Sequence, residues 1–148
     1  MAKVRIFAIH KISDNSLEGK IISEYLKRIP WQVTLIQIES KDKFPPDKQK
    51  IYEGEMLIKA AGNDFLIALD ENGLQFSSID FANNIEKITK PISFLIGGAF
   101  GLSNEVKQKA NLLLSLGKLT LPHVLARVIL VEQIYRSYTI TTNHPYHK

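Results

Sequence analysis

Residues 92–103 read "ISFLIGGAFGLS". The run from Ile92 to Ile96 is apolar and uncharged, as a strand buried in a sheet requires. It meets Gly97, Gly98 and Gly101, then a helix start at Ser103, whose hydroxyl can cap a first turn. Strand, glycine turn and helix form the repeating unit of an α/β fold, in which ligands gather outside the carboxyl ends of the strands. The glycines have two readings. Either the turn needs positive φ, or a ligand approaches the main chain. The dinucleotide fingerprint fails, because its first glycine would be Ile96 and no Asp or Glu occurs from Val106 to Val131 to take a ribose hydroxyl. A P-loop fails because no Gly-Lys-Ser/Thr follows. The loop suits a nucleoside-like ligand held by backbone.

Working outward, the alternation continues in both directions. Strands are predicted at 4–9 ("VRIFAI"), 31–38, 65–70, where "ENG" turns the chain, and 112–116. A helix over 14–29 carries Leu17, Ile21, Tyr25 and Ile29 on one face and stops at Pro30. A second follows the charged loop "KDKFPPDKQK" and ends at Gly62. A third spans 78–88, a short one starts at Ser103, and a long one runs 122–138 with Pro122 at its first position. The expectation is one α/β domain over 1–148, a mostly parallel sheet flanked by helices, without repeats or linkers.

At 148 residues and 45% hydrophobic, the chain can bury a core. Lys+Arg exceed Asp+Glu by 19 to 15, a net +4 that permits an anionic partner without demanding one. There is no cysteine, which excludes disulfides, thiolate nucleophiles and Cys-ligated metals. The start does not read as a signal peptide, and no apolar run approaches about 18 residues. A soluble, cytoplasmic protein without membrane or metal is expected.

Three further features bear on function. The acid-free window 106–131 holds Lys107, Lys109, Lys118 and Arg127, either a solvated face or a phosphate-contacting surface. Arg127 falls in the middle of the most apolar arc of helix 122–138, among Leu130, Val131 and Ile134. A buried arginine needs a partner. Arg127 is therefore either a salt bridge at a subunit interface or an arginine aimed into a substrate site. The chain ends "TTNHPYHK". His144, Tyr146, His147 and Lys148 offer proton transfer, stacking surface and phosphate attraction within five residues, against the plain reading of a solvated end. The β-branched "YTITT" (138–142) before them suggests an ordered start. Zinc on His123, His144 and His147 lacks acidic or cysteine support.

"LIGGAFGLS", "SLGKLTLPH" and above all "RVILVEQIYRSYTITTNHPYHK" resemble the ribosomal RNA large-subunit methyltransferase H family; 1–93 matches more loosely, mainly through "EYLKR" and "LIALD". The resemblance implies a SPOUT methyltransferase, an α/β domain with a C-terminal trefoil knot, working as a homodimer. It implies methyl transfer from S-adenosylmethionine to N3 of a pseudouridine in 23S ribosomal RNA, on the ribosome. It places the cofactor on Leu69, Gly97, Leu116, Gly117, Lys118, Leu119, Thr120 and Leu121. Ala99 and Phe100 depart from family positions that are often polar. Catalytic candidates are Arg127, His144, Tyr146 and His147; RNA contacts fall to Arg136 and Lys148. In a dimer, one subunit's tail would close over the other's cofactor. The competing classes are a non-catalytic RNA- or ribosome-binding protein, which lacks a cofactor pocket, and a nucleotide-dependent α/β enzyme of another type.

Overall fold

A computed structural model describes residues 3–148. The element order is β1 (Val4–Ile9), α1 (Leu17–Arg28), β2 (Val33–Ile38), α2 (Pro46–Ala61), β3 (Phe65–Gln75), α3 (Ser78–Lys87), β4 (Ile92–Ile96), α4 (Asn104–Lys109), β5 (Leu112–Ser115) and α5 (His123–Thr141). The strands form one sheet in the order β2-β1-β4-β3-β5, and every pairing is parallel. Helices α1, α3 and α5 pack together on one face; α2 and α4 cover the other. Strand β4 lies in the middle, its residues buried from both sides. Phe94 joins the core under α1, α3 and α5, while Leu95 joins the core under α2 and α4. The glycine loop therefore leaves the centre of the sheet, beside the carboxyl ends of β1 and β3.

Serine caps define three helix starts. Ser16, Ser77 and Ser103 each accept from the N–H three residues on. Three expectations need correction. In α1, Leu17 is 77% and Ile21 44% exposed, whereas Ile22 is buried. A strict four-residue spacing drifts about 40° per step around a helix, so a stripe that ends in the core at Ile29 starts outside it. In β3, "ENG" interrupts the strand without ending it: Leu69 and Leu74 both pair with Leu114, so 70–73 loop out as a bulge. In α5, Pro122 is the N-cap and the helix runs on to Thr141. The β-branched "YTITT" is thus its last turn, where packing against the sheet and α1 overrides a modest propensity penalty.

Candidate active site

A cavity of about 770 Å³ opens outside the carboxyl ends of β3, β4 and β5, within the range of small-ligand sites. Of the eight residues assigned to the cofactor, Leu69, Gly97, Leu116, Gly117, Leu119, Thr120 and Leu121 border it. Lys118 is exposed and does not. Two of the cavity's glycines shape the wall through the main chain. A Cβ on Gly97 would sit 2.7 Å from the carbonyl oxygen of Gly101, so the glycine loop folds on itself, with Gly101 N–H donating to Gly98 (3.1 Å). The loop's own backbone therefore leaves no room for a side chain at Gly97. Gly117 has φ 131, a conformation costly for side-chain-bearing residues. The buried Ser115 clamps it, its hydroxyl accepting from Gly117 N–H (3.1 Å) and donating to Gly117 C=O (2.9 Å).

The bulge in β3 supplies what the sequence reading missed. Asp70 and Glu71 border the cavity. Asp70 lies 3.8 Å from Lys107 Nζ, and Glu71 accepts from Thr120 Oγ1 at 3.4 Å. An acid was sought downstream of the glycine loop; it arrives from the neighbouring strand, upstream in the chain. The signal was an acidic pair at the end of the buried run "LIALDE". Lys50 and His123 complete the rim, and Phe100 stands 45% exposed at the mouth.

The basic window does not form one cationic surface. Lys107 pairs with Asp70, Lys109 lies 3.9 Å from Glu105, and Arg127 is fully buried. Among the described residues of this chain, Arg127 meets neither an acid nor the cavity. It donates to the carbonyl of Ile9 (2.5 Å) and to Gln37 Oε1 (2.9 Å), has no carboxylate partner among the described residues, and does not border the cavity. It ties α5 to the carboxyl ends of β1 and β2. Its Nη2 also meets His123 Nδ1 at 3.3 Å. Burial, Arg127 and His10 lower the His123 pKa, against a smaller opposing pull from Glu53.

The tail is ordered by a Schellman turn. Asn143 adopts φ 56, its N–H reaches the Ile140 carbonyl (3.4 Å), and His144 N–H reaches Thr139 (2.9 Å). This sends 144–148 back along α5. Tyr146 packs edge-on to Tyr135 at 4.7 Å, lies under the Arg136 guanidinium at 4.8 Å, and meets Tyr25 Oη at 3.3 Å. Its hydroxyl donates to Glu132 (2.9 Å). Burial, then the Tyr25 and Glu132 hydrogen bonds, raises its pKa, so the phenol stays protonated at neutral pH. Arg136 forms the expected i, i+4 pair with Glu132 (2.6 Å), which raises its pKa. Arg136 also donates to His147 Nδ1 (3.1 Å). The backbone N–H of Tyr146 donates to His144 Nδ1 (3.2 Å). An arginine and an amide can only donate; both rings therefore accept at Nδ1, and when neutral they carry their proton on Nε2. Lys148 is exposed. His123 and the tail histidines form no metal-ligand cluster among the described residues.

The tail does not reach its own cavity. His123 borders the cavity, and Glu132, which holds Tyr146, follows nine residues later on α5. That is roughly 14 Å along the axis and about 180° around it.

No helix among the described residues is long and apolar enough to cross a membrane. The family model described as "Predicted SPOUT methyltransferase" matches residues 2–147. Ribosomal RNA large subunit methyltransferase H from Streptococcus pneumoniae strain CGSP14 is 42% identical, covering 99% of both chains; the protein of that name from serotype 4 is equally similar over the same shares. Among solved structures, a probable methylase family protein from Haemophilus influenzae superposes with TM-score 0.62 at 14% identity, covering 99% of this chain and 71% of that one. TrmJ from Z. mobilis gives TM-score 0.55 at 12% identity over 93% and 70%. At such identities these two speak to the fold alone, and the fold agrees with the sequence-level match: the chain belongs to the SPOUT methyltransferases, in the ribosomal RNA large subunit methyltransferase H family.

Proposed function

We propose that this protein transfers a methyl group from S-adenosylmethionine to N3 of a pseudouridine in 23S ribosomal RNA, in the cytoplasm. We propose further that it works as a two-fold homodimer, the tail of one subunit completing the cavity of the other. The observation that carries the reading is the cavity at the strand ends, bordered by 97–102 and by Leu116, Gly117, Leu119, Thr120 and Leu121. Its walls suit this cofactor. Leu69, Leu116 and Leu121 offer apolar surface to an adenine, the two loops offer backbone groups to its edge, and Asp70 and Glu71 offer carboxylates to ribose hydroxyls. S-adenosylmethionine, when bound, supplies the methyl as an activated sulfonium, so the chain's task is positioning and charge control.

The tail's hydrogen bonding refines its role. N3 of a uracil-type ring is a weak acid and becomes attackable as its proton leaves. Neither tail imidazole offers a free lone pair here, since both Nδ1 atoms already accept. Each presents Nε2–H instead. His144 and His147 would then donate to the carbonyls flanking N3 and stabilise the developing anion, beside the Arg136 cation, while solvent takes the proton. Tyr146 anchors, Arg127 positions α5, and Lys148 attracts phosphate. The dimer is supported by the separation of tail and cavity on α5, and by apolar surface left open near the cavity, Leu119 at 79% and Leu125 at 44% exposed.

Purified protein with methyl-labelled cofactor and ribosomes lacking the modification should incorporate label that maps to N3 of one pseudouridine. Label absent from the large-subunit RNA, or carried on another atom, overturns the assignment. A protein that only bound RNA would transfer nothing.

A further inference from the structure

The stretch from Lys41 to Tyr52 covers the loop after β2 and the first turns of α2. Only Lys50 within it borders the cavity. Residues 41–48 are all exposed. Lys41, Lys43, Lys48 and Lys50 form no ion pair among the described residues. Phe44 is 45% exposed and meets Tyr52 edge-on at 5.6 Å, while Lys43 Nζ lies 5.2 Å from the same ring.

A polar surface loop of this composition is ordinarily mobile. This one is held from beneath by a fully buried glutamine. Gln49 Oε1 accepts from the N–H groups of Lys43 (3.2 Å) and Phe44 (3.3 Å). Its Nε2 donates to the Lys41 carbonyl (2.9 Å), Ser40 Oγ (3.0 Å) and Glu53 Oε2 (3.1 Å). Glu53 is itself buried, and Ser40 donates to it at 2.6 Å. Burying an amide and a carboxyl group costs desolvation, and neither borders the cavity. What they accomplish is a fixed shape for an exposed loop of lysines around an aromatic ring.

We propose that Lys41, Lys43, Phe44, Lys48 and Lys50 form a docking surface for the ribosomal RNA strand flanking the target nucleotide. The lysines meet phosphates and Phe44 stacks on an unpaired base. The inference rests on the reading of this chain as a ribosomal RNA methyltransferase. Four lysines outweigh Asp42 and Asp47 along the segment, so its field attracts a polyanion. Sequence-tolerant binding of unpaired RNA combines such a basic track with exposed aromatic faces. An acidic protein surface would use the lysines and leave Phe44 without a role. Lys50 brings the track to the cavity rim, so a strand whose base enters the cavity crosses it.

The test uses the full chain with Lys43→Glu plus Lys48→Glu, and separately Phe44→Ala. None of these three residues borders the cavity, so calorimetry should give unchanged S-adenosylmethionine affinity. Binding is then measured on large ribosomal subunits and on a protein-free fragment of the ribosomal RNA around the site, across a salt series. The charge reversal should weaken binding to both at least about tenfold and flatten the dependence of log K on log salt by roughly 1.4–1.8, two phosphate contacts' worth. Phe44→Ala should weaken binding roughly tenfold with the slope unchanged. Unchanged affinity and slope in both variants overturn the proposal. A loss confined to intact subunits also overturns it, since the contact is then to a ribosomal protein. The outcomes separate the two readings. Wild-type protein that binds RNA through this surface but transfers no methyl sinks the enzyme assignment alone. Normal methylation by both variants sinks the docking surface alone.

Discussion

The two ends of α5 are built on opposite plans. At its start, two glycine turns shape the cavity wall, Gly97 tucked against Gly101 and Gly117 clamped by Ser115. At its end, a backbone turn at Asn143 directs the tail and side chains hold it: Tyr146 on Tyr135, Arg136 on Tyr146, and Glu132 bonded to both. A wall set by backbone turns suits a ligand of constant shape. A side-chain cluster suits a site that must handle charge and a departing proton. The two plans lie on different sides of one rigid helix, and the tail folds back on its own subunit away from the cavity. Tail and cavity thus stand apart within one chain, and the homodimer proposed above would bring them together.

The largest effect that could break this comparison comes from deleting residues 144–148. If the tail serves only the substrate, S-adenosylmethionine affinity by calorimetry should stay within about threefold, while methyl transfer falls by roughly 10²–10³, the scale of lost oxyanion-type donors. Full-rate transfer by the truncated protein would return the tail to an ordinary chain end. Gly97→Val attacks the other plan. A β-branched side chain cannot share space with Gly101 backbone at 2.7 Å, so the loop must remodel, and cofactor affinity should drop by roughly 10- to 100-fold with the fold retained. Mixing the two variants sharpens both results. If tail and cavity cooperate in trans, random heterodimers hold one intact site, and activity should return to roughly a quarter of the wild-type level. No recovery on mixing would place tail and cavity in one subunit after all.

A smaller effect separates donor from base within the tail. His147→Gln keeps a side chain able to accept from Arg136 and to donate an N–H, but not to take up a proton. It should retain turnover within about tenfold of wild type, while His147→Ala loses more. Equal losses in the two variants, with a pH profile that loses its acidic limb, would make His147 the base.

Much of this was legible in the sequence because the signals were local. The uncharged run 92–96 ahead of three glycines marked a buried strand, and Ser103 marked the start of the helix after it. What escaped depended on contacts between distant segments. The exposed Leu17–Ile21 edge of α1 has the same spacing as a buried one, and only packing against α5 decides which arc faces inward. Asp70 joins the cavity because a bulge in β3 swings it there, and a bulge has no sharp sequence signature. Arg127 was expected to need a partner; a backbone carbonyl and a glutamine take its two Nη groups, while its buried Nε has no hydrogen-bond partner among the described residues. The tail's composition suggested chemistry, but its direction was set by Asn143 in the left-handed region, one residue among 148.

The smallest expected effect tests whether the cavity end of α5 carries a titrating group. His123 faces Arg127 from its own helix, His10 from the end of β1 at a ring separation of 5.8 Å, and Glu53 from α2. Burial first, then Arg127 and His10, lowers its pKa below the ordinary 6.5 despite the carboxylate. Below that value the unfolded chain takes up a proton that the folded chain still refuses. Stability contributed by neutral His123 is therefore fully present above about pH 6.5, falls as pH drops through that value, and levels off below the folded pKa. The ring is only partly buried, so the change should be a few degrees in melting temperature at most. His123→Gln cannot titrate. Melting curves at pH 7.5 and 5.5 should therefore show a smaller acid-side loss for the variant than for wild type. An equal acid-side loss in wild type and in His123→Gln would place the pH-sensitive group elsewhere, and the cavity end of α5 would carry no titrating group of consequence.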